Sequence, residues 1–208
     1  MEIETIPVGP FEVNCYLAWG PPRQALVIDP GEDADRILDA LSGHRLSVAA
    51  YLLTHGHADH VSALAELCRR HPAPVSMHPD DARWSFTPRA GIPGAYPPPE
   101  QPGAEVRPLA DGQEGRDGGL RWRVIATPGH TPGGVSFYFP DEGMLFSGDT
   151  LFQGSVGRTD LPGGSARTLS ASLARLAKLP DATRVFPGHG PETTIGGEKK
   201  TNFFLRGL

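Results

Sequence analysis

The stretch THGHADH, residues 54–60, sets His55, His57, Asp59 and His60 within six consecutive positions. Imidazole nitrogens and carboxylate oxygens are common metal donors, so this crowding is the first sign of metal chemistry. On extended backbone His55 and His57 leave the chain on the same side, whereas on a helix they would diverge by about 200°. Two imidazoles can then share one ion, while Asp59 and His60, past the strand end, can face a second position beside it. A solvated loop is the plain alternative. It leaves unexplained why imidazoles that repel one another when protonated gather at one point.

One turn supplies too few donors for two ions. Three further candidates stand singly, each at the end of an expected strand: His130 in VIATPGHTPG, Asp149 in LFSGDT and His189 in VFPGHG. Their neighbours Gly129, Gly148, Gly188 and Gly190 permit close backbone approach. Taken alone, His130 reads as a surface or hydrogen-bonded residue and Asp149 as a turn residue. Five of the eight histidines fall in this set, and the other three, His44, His71 and His78, lack its context.

Something must hold those loops. EIETIPV, EVNCYLAW and QALVIDP read as short strands between Gly and Pro turns, followed by a helix over EDADRILDAL with Ala34, Ile37, Leu38 and Leu41 at helical spacing. SVAAYLLT is a continuous apolar run suited to a buried strand. From His60 the period becomes helical through Val61, Leu64, Ala65 and Cys68, so the histidine cluster sits on a strand-to-helix turn. PVSMH reads as a short strand, and residues 84–104 as a Pro-rich connection long enough to serve as a lid or mobile flap. LRWRVIATPGH, GVSFYFP, GMLFSGDT and ATRVFPGHG are expected strands. SARTLSASLARLAKLP is an expected helix capped by Ser165 and stopped by Pro180, and IGGEKKTNFFLR a closing one. The pattern predicts one compact domain over residues 1–208, with two mixed sheets face to face and helices outside.

Composition narrows the partners. A formal charge of -5 carries no basic excess, so neither nucleic acid nor an anionic membrane is expected as a partner. No run approaches the roughly 18 apolar residues of a membrane span. The first twenty residues lack the basic and apolar regions of a secretion signal, and two cysteines are too few for a disulfide framework, so a cytoplasmic location is expected.

THGHADH followed by PGHTPG, SGDT and PGHG resembles the metallo-β-lactamase fold hydrolases along nearly the whole chain. The resemblance implies an α+β fold, a four-layer αββα sandwich with the active site at one edge between the sheets. It also implies that His55, His57 and His130 hold one metal, Asp59, His60 and His189 hold another, and Asp149 bridges them. Such donors suit two divalent ions, Zn(II) first, with Fe and Mn served by the same set. A bridging water would have its pKa lowered toward ~7, giving hydroxide that Asp59 can help orient. No Ser or Cys nucleophile is then required, and Cys15 and Cys68 fall in a buried strand and a helix interior.

Within that superfamily, VNCYLAW, VIDPG, GSVGRTDLPGG and FPGHGPETTIGGEKKTN are similar to the glyoxalase II-like, short hydroxyacylglutathione hydrolases. The implied reaction is hydrolysis of a small-molecule thioester. Asp29 either orients a liganding histidine or shapes the turn before the helix. Arg158 either binds a glutathione-like carboxylate or pairs with Asp160. Lys199 and Lys200 either serve likewise or are simply solvated. Full-length glyoxalase II enzymes continue past the last histidine into a helical domain that contacts glutathione, and this sequence stops soon after His189. A different thiol carrier or an open site is therefore an expectation too. Persulfide dioxygenases are similar as well and would use His55, His130 and Asp149 for a single iron. A non-enzymatic module stapled by zinc is the remaining class.

Overall fold

A computed structural model describes residues 1–206. The first sheet runs in chain order, β1 (Glu2–Val8), β2 (Val13–Trp19), β3 (Gln24–Ile28), β4 (Ser47–Leu52), β5 (Val75–Met77) and β6 (Val106–Pro108). The first three strands are antiparallel, and β4 to β6 join in parallel, as their helical crossovers require. The second sheet has β7 (Glu114–Asp117), β8 (Leu120–Ala126), β9 (Val135–Phe139) and β10 (Met144–Gly148), then β13 (Arg184–Pro187) parallel to β10, with β14 (Thr193–Thr194) at its edge. A small hairpin, β11 (Leu151–Phe152) and β12 (Ser155–Val156), lies between β10 and β13 in sequence.

Strand alternation builds the layers. On β2, Cys15, Leu17 and Trp19 face one apolar cluster while Tyr16 and Ala18 face another, so both sides are buried and the run reads as continuously apolar. The first cluster joins this sheet to helices α1 (Ala34–Gly43) and α3 (Leu64–Arg70) through Ile37, Leu41, Leu64 and Leu67. The second lies between the sheets, where Leu26, Ile28 and Leu52 meet Trp122, Phe137 and Phe146. A third packs Tyr138, Leu145 and Val185 under α5 (Ala166–Leu176) and α6 (Ile195–Thr201). The order is helix, sheet, sheet, helix, the four-layer αββα sandwich expected. Among the described residues no helix is long and apolar enough to cross a membrane.

Several elements differ from expectation. The helix expected from His60 is two pieces, α2 (Ala58–Val61) and α3, because the Ala63 N–H goes to Pro30 O at 3.1 Å and leaves the helical ladder. α4 (Pro79–Ser85) was not foreseen: Pro79 starts it and the His78 ring accepts from Asp80 N, but it is too short for an apolar period. β6, β7, β14 and the β11–β12 hairpin were also missed. Residues 84–104 are not uniformly loop. Trp84 and Ser85 finish α4, Pro88–Ala90 form a 3-10 turn, and buried Tyr96 sets its ring 5.3 Å from Phe11 on the β1–β2 turn. The closing helix stops at Thr201, five residues short of its expected end, where Asn202 turns its side chain to Glu198 and the β12 backbone.

One seam is open to test. Arg175 on α5 grips both oxygens of Asp111 at 2.8 and 2.9 Å and the carbonyl of Ala126, while Asp111 accepts the Ala126 N–H at 2.8 Å. Burial raises the Asp111 carboxyl, but the Ala126 N–H and Arg175 outweigh it and hold it below its ordinary value. A depressed carboxyl stabilises the fold above its unfolded pKa of ~3.9 and loses that effect as pH falls through the folded value. Asp111→Asn is expected to cost ~0.5–1 kcal/mol at neutral pH, modest because the pair is half-exposed. Urea melts at falling pH should show wild type and variant converging. A gap undiminished in strong acid would contradict the assignment.

Candidate metal centre

Register decides which residues leave the sheets together. Ile28 pairs with Leu52 in the parallel β3–β4 ladder, so Asp29 and Thr54 emerge side by side, and the chain runs on through His55, Gly56 and His57 into α2. Gly148 pairs with Pro187 in the β10–β13 ladder, which releases Asp149 and His189 at one place. Ala126 pairs with Val135 across β8 and β9, enclosing the loop that carries His130. All five loops open at one edge between the two sheets.

There the expected side chains meet. One donor atom each from His55, His57 and His130 lies within 4.8 Å of the others, and the same holds for Asp59, His60 and His189. Asp149 stands between the groups, with Oδ1 3.4 Å from His60 Nε2 and Oδ2 3.5 and 3.6 Å from the Nε2 atoms of His130 and His189. His57 Nδ1 and His130 Nε2 face each other at 2.9 Å.

Outer partners aim the inner nitrogens. His60 Nδ1 meets Asp29 Oδ2 at 3.1 Å, His130 Nδ1 meets Arg158 O at 2.7 Å and His189 Nδ1 meets Phe11 O at 3.0 Å. Each of these acceptors holds the Nδ1–H and so turns Nε2 toward the centre. Thr54 donates its hydroxyl to Asp29, so its oxygen is left to accept from His55 Nδ1 at 3.0 Å. Asp29, Thr54, His55 and His60 thus form one hydrogen-bonded set, in which Asp29 is occupied by Thr54 and His60.

The donor set fits a cation. His55 Nε2, His60 Nε2 and Asp149 Oδ1 are buried without a hydrogen-bond partner, a cost that a shared cation would relieve. Burial, then neighbouring imidazoles, keeps His55 far below its ordinary pKa, and burial with His130 takes His57 down to about 3, so both lone pairs stay available. Burial opposes charge on His60, but Asp149, Asp59 and Asp29 outweigh it and lift it to about 10. Burial likewise raises Asp59, yet His60, His189 and His57 bring it down to about 2. Negative charge is therefore concentrated beside His60 and His189.

The remaining candidates are not brought in. Arg158 places its backbone carbonyl under His130, but its guanidinium is taken by Asp160 at 2.7 and 2.8 Å, the salt-bridge alternative. Lys199 is drawn to Asp181 at 2.7 Å and Lys200 is exposed, so neither joins the centre. His44 pairs with Glu4, and His78 caps α4. Sequence reading missed Asn14 and Tyr16, which project from β2 to the His189 loop. Asn14 Nδ2 donates to Pro187 O at 3.0 Å and Gly190 O at 2.8 Å, and Tyr16 OH to Pro187 O at 2.6 Å.

A chain with this sandwich and this edge cluster is a metallo-β-lactamase fold protein. It belongs to the metallo-beta-lactamase superfamily, whose family model matches residues 8–189, and the superfamily and centre together make it a metal-dependent hydrolase with His/Asp metal-binding sites. It is 37% identical to the hydroxyacylglutathione hydrolase GloC of Haemophilus influenzae over 99% of this chain and 98% of that protein. Among solved structures it is similar to the BLEG-1 B3 metallo-beta-lactamase (37% identity, TM-score 0.93, 99% and 100% of the two chains). It is also similar to TTHA1623 in a di-iron-bound form (43%, 0.86, 97% and 100%) and to ETHE1 from Myxococcus xanthus (33%, 0.81, 98% and 84%).

Proposed function

We propose that the chain hydrolyses thioesters of the hydroxyacylglutathione type. The observation that carries this reading is the pair of triads sharing Asp149, supported by the likeness to GloC. His55, His57 and His130 would hold one cation, Asp59, His60 and His189 the other, with Asp149 common to both. Two such cations, zinc by first choice with iron and manganese compatible, supply Lewis acidity at the carbonyl and acidify water toward neutral pH. Asp59, ionised, accepts a hydrogen bond from the attacking water and aligns it. Water adds its oxygen to the acyl carbon, the carbon–sulfur bond breaks, one water proton goes to the sulfur and the other to solvent, and the products are a carboxylate and a thiol.

Cysteine nucleophiles are excluded on physical grounds. Burial pushes the Cys15 thiol well up and Cys68 to about 11, and both are walled off in the helix-side core, so neither offers a thiolate. Trp84, 5.5 Å from His57, and Phe152, 6.1 Å from His189, are half-buried and supply apolar surface at either end of the centre. A one-iron oxygenase would use His55, His130 and Asp149 and leave Asp59 and His189 without work.

The test is a comparison on protein of measured metal content. Lactoylglutathione should be hydrolysed in proportion to occupancy, with two metals per chain, and a chelator should abolish turnover reversibly while circular dichroism shows the fold kept. Turnover confined to a chromogenic cephalosporin, or oxygen uptake on glutathione persulfide with one iron per chain, would overturn the reading. Unfolding on metal removal would instead mark a structural staple.

A further inference from the structure

One fully buried carboxylate outside the donor set joins the two halves of the first triad. Asp81, in the first turn of α4, is 0% exposed and accepts three hydrogen bonds: Gly56 N at 3.0 Å and Thr131 Oγ1 at 2.7 Å on Oδ2, and Gly133 N at 2.8 Å on Oδ1. Gly56 lies between His55 and His57, and Thr131 follows His130. The first loop belongs to the first sheet and the second to the other sheet, so a single side chain bridges the gap that His55, His57 and His130 must close.

The surroundings are shaped for this carboxylate. A Cβ on Gly133 would lie 2.7 Å from both Asp81 N and Oδ1, and one on Gly56 would lie 1.9 Å from Ser85 Oγ and 3.2 Å from Asp81 Cβ. Ser85 in turn donates to Asp81 O at 2.6 Å, fixing the helical turn that carries the carboxylate. Three donors converge and none accepts, so an amide of the same shape would turn an N–H toward another donor. α4 also carries Trp84, which sets the helix against His57.

We propose that Asp81 is a positioning residue which locks the His55–His57 turn to the His130 loop and so sets the metal affinity of that triad alone. The inference rests on the metal-site reading above and not on the identity of the substrate. Outer groups that orient ligands typically govern metal affinity by 10–100-fold. The second triad takes its support from Asp29, Asn14 and Tyr16, none of which is hydrogen-bonded to Asp81.

Stepwise zinc titration of the metal-free protein by calorimetry tests this, alongside thermal melts of the metal-free forms. In Asp81→Asn one of two equivalents is expected to bind roughly 10–100-fold more weakly, with the other unchanged. Thr131→Val should weaken the same equivalent by less, and Thr131→Ser, which restores the hydroxyl, should recover wild-type binding; these variants keep the test open should Asp81→Asn fail to fold. A merely structural Asp81 would lower the melting temperature and leave both affinities of the folded chain intact, and that result overturns the proposal. Equal weakening of both equivalents would overturn it as well. Wild-type protein that binds no zinc would remove the site reading and this inference together, whereas two normal equivalents in Asp81→Asn remove only the role of Asp81.

Discussion

Asp149→Asn is expected to lower kcat/KM for thioester hydrolysis by about 10³-fold, ~4 kcal/mol of transition-state stabilisation, while the fold persists. Among the described residues Asp149 alone lies within ion-pair range of imidazoles from both triads, through Oδ1 to His60 and Oδ2 to His130 and His189. Asparagine keeps its volume and one acceptor but removes the charge and replaces one oxygen by an N–H₂ that has no lone pair to give a cation. The side chain is nearly buried, so water cannot substitute cheaply. Steady-state kinetics with metal analysis and near-ultraviolet circular dichroism on the same samples would check this. A variant retaining half the wild-type turnover at full occupancy would show that the two triads do not act through a shared carboxylate.

The donors were legible in the sequence and most of their supports were not, for a physical reason. A ligand at a strand end leaves local marks: the two-residue spacing of His55 and His57, the apolar run before them, and the small residues beside His130, Asp149 and His189. Periodicity of this kind reports burial. Asn14 and Tyr16 lie in a strand buried on both faces, and their partners Pro187 and Gly190 are more than 170 positions away, so nothing near them announces a polar role. Asp81 is equally hidden, since its partners sit 25 to 52 positions away on other loops. Arg158 and Lys199 show the converse. Their charge makes them candidates for a substrate carboxylate, and in the structure each pairs with a neighbouring acid, Asp160 and Asp181, at 2.7 Å. Charge type was visible, and charge pairing was not. Asp29 differs in that it ends the strand that pairs with β4, so the parallel ladder brings it to Thr54.

The expected loss in Gly188→Ala is as severe, roughly 10²–10³-fold in turnover with weaker metal retention, although the substitution removes no donor. A Cβ on residue 188 would lie 2.2 Å from Asp149 Oδ1, 2.7 Å from His60 Cε1 and 3.2 Å from the Gly148 carbonyl carbon. Something must give, and every candidate belongs to the centre. If Asp149 swings away, the shared carboxylate is lost. If His60 moves, its ring, fully buried and held by Asp29, breaks that bond and turns Nε2 from its target. If the backbone retreats, His189 goes with it, together with the Asn14 N–H bond to Gly188 O at 2.8 Å. The stability cost should be only ~1–3 kcal/mol, the usual range for overpacking, so a folded but metal-poor protein is the expected product. Gly143→Ala is the control: its φ of 64° makes any side chain strained, but open space surrounds it, far along the β9–β10 turn. It should cost ~1 kcal/mol and leave metal content and turnover untouched. Matching metal content in the two variants would mean that the gap beside Asp149 is wide enough for a methyl group, and that His60 and Asp149 need not sit as close as the structure has them.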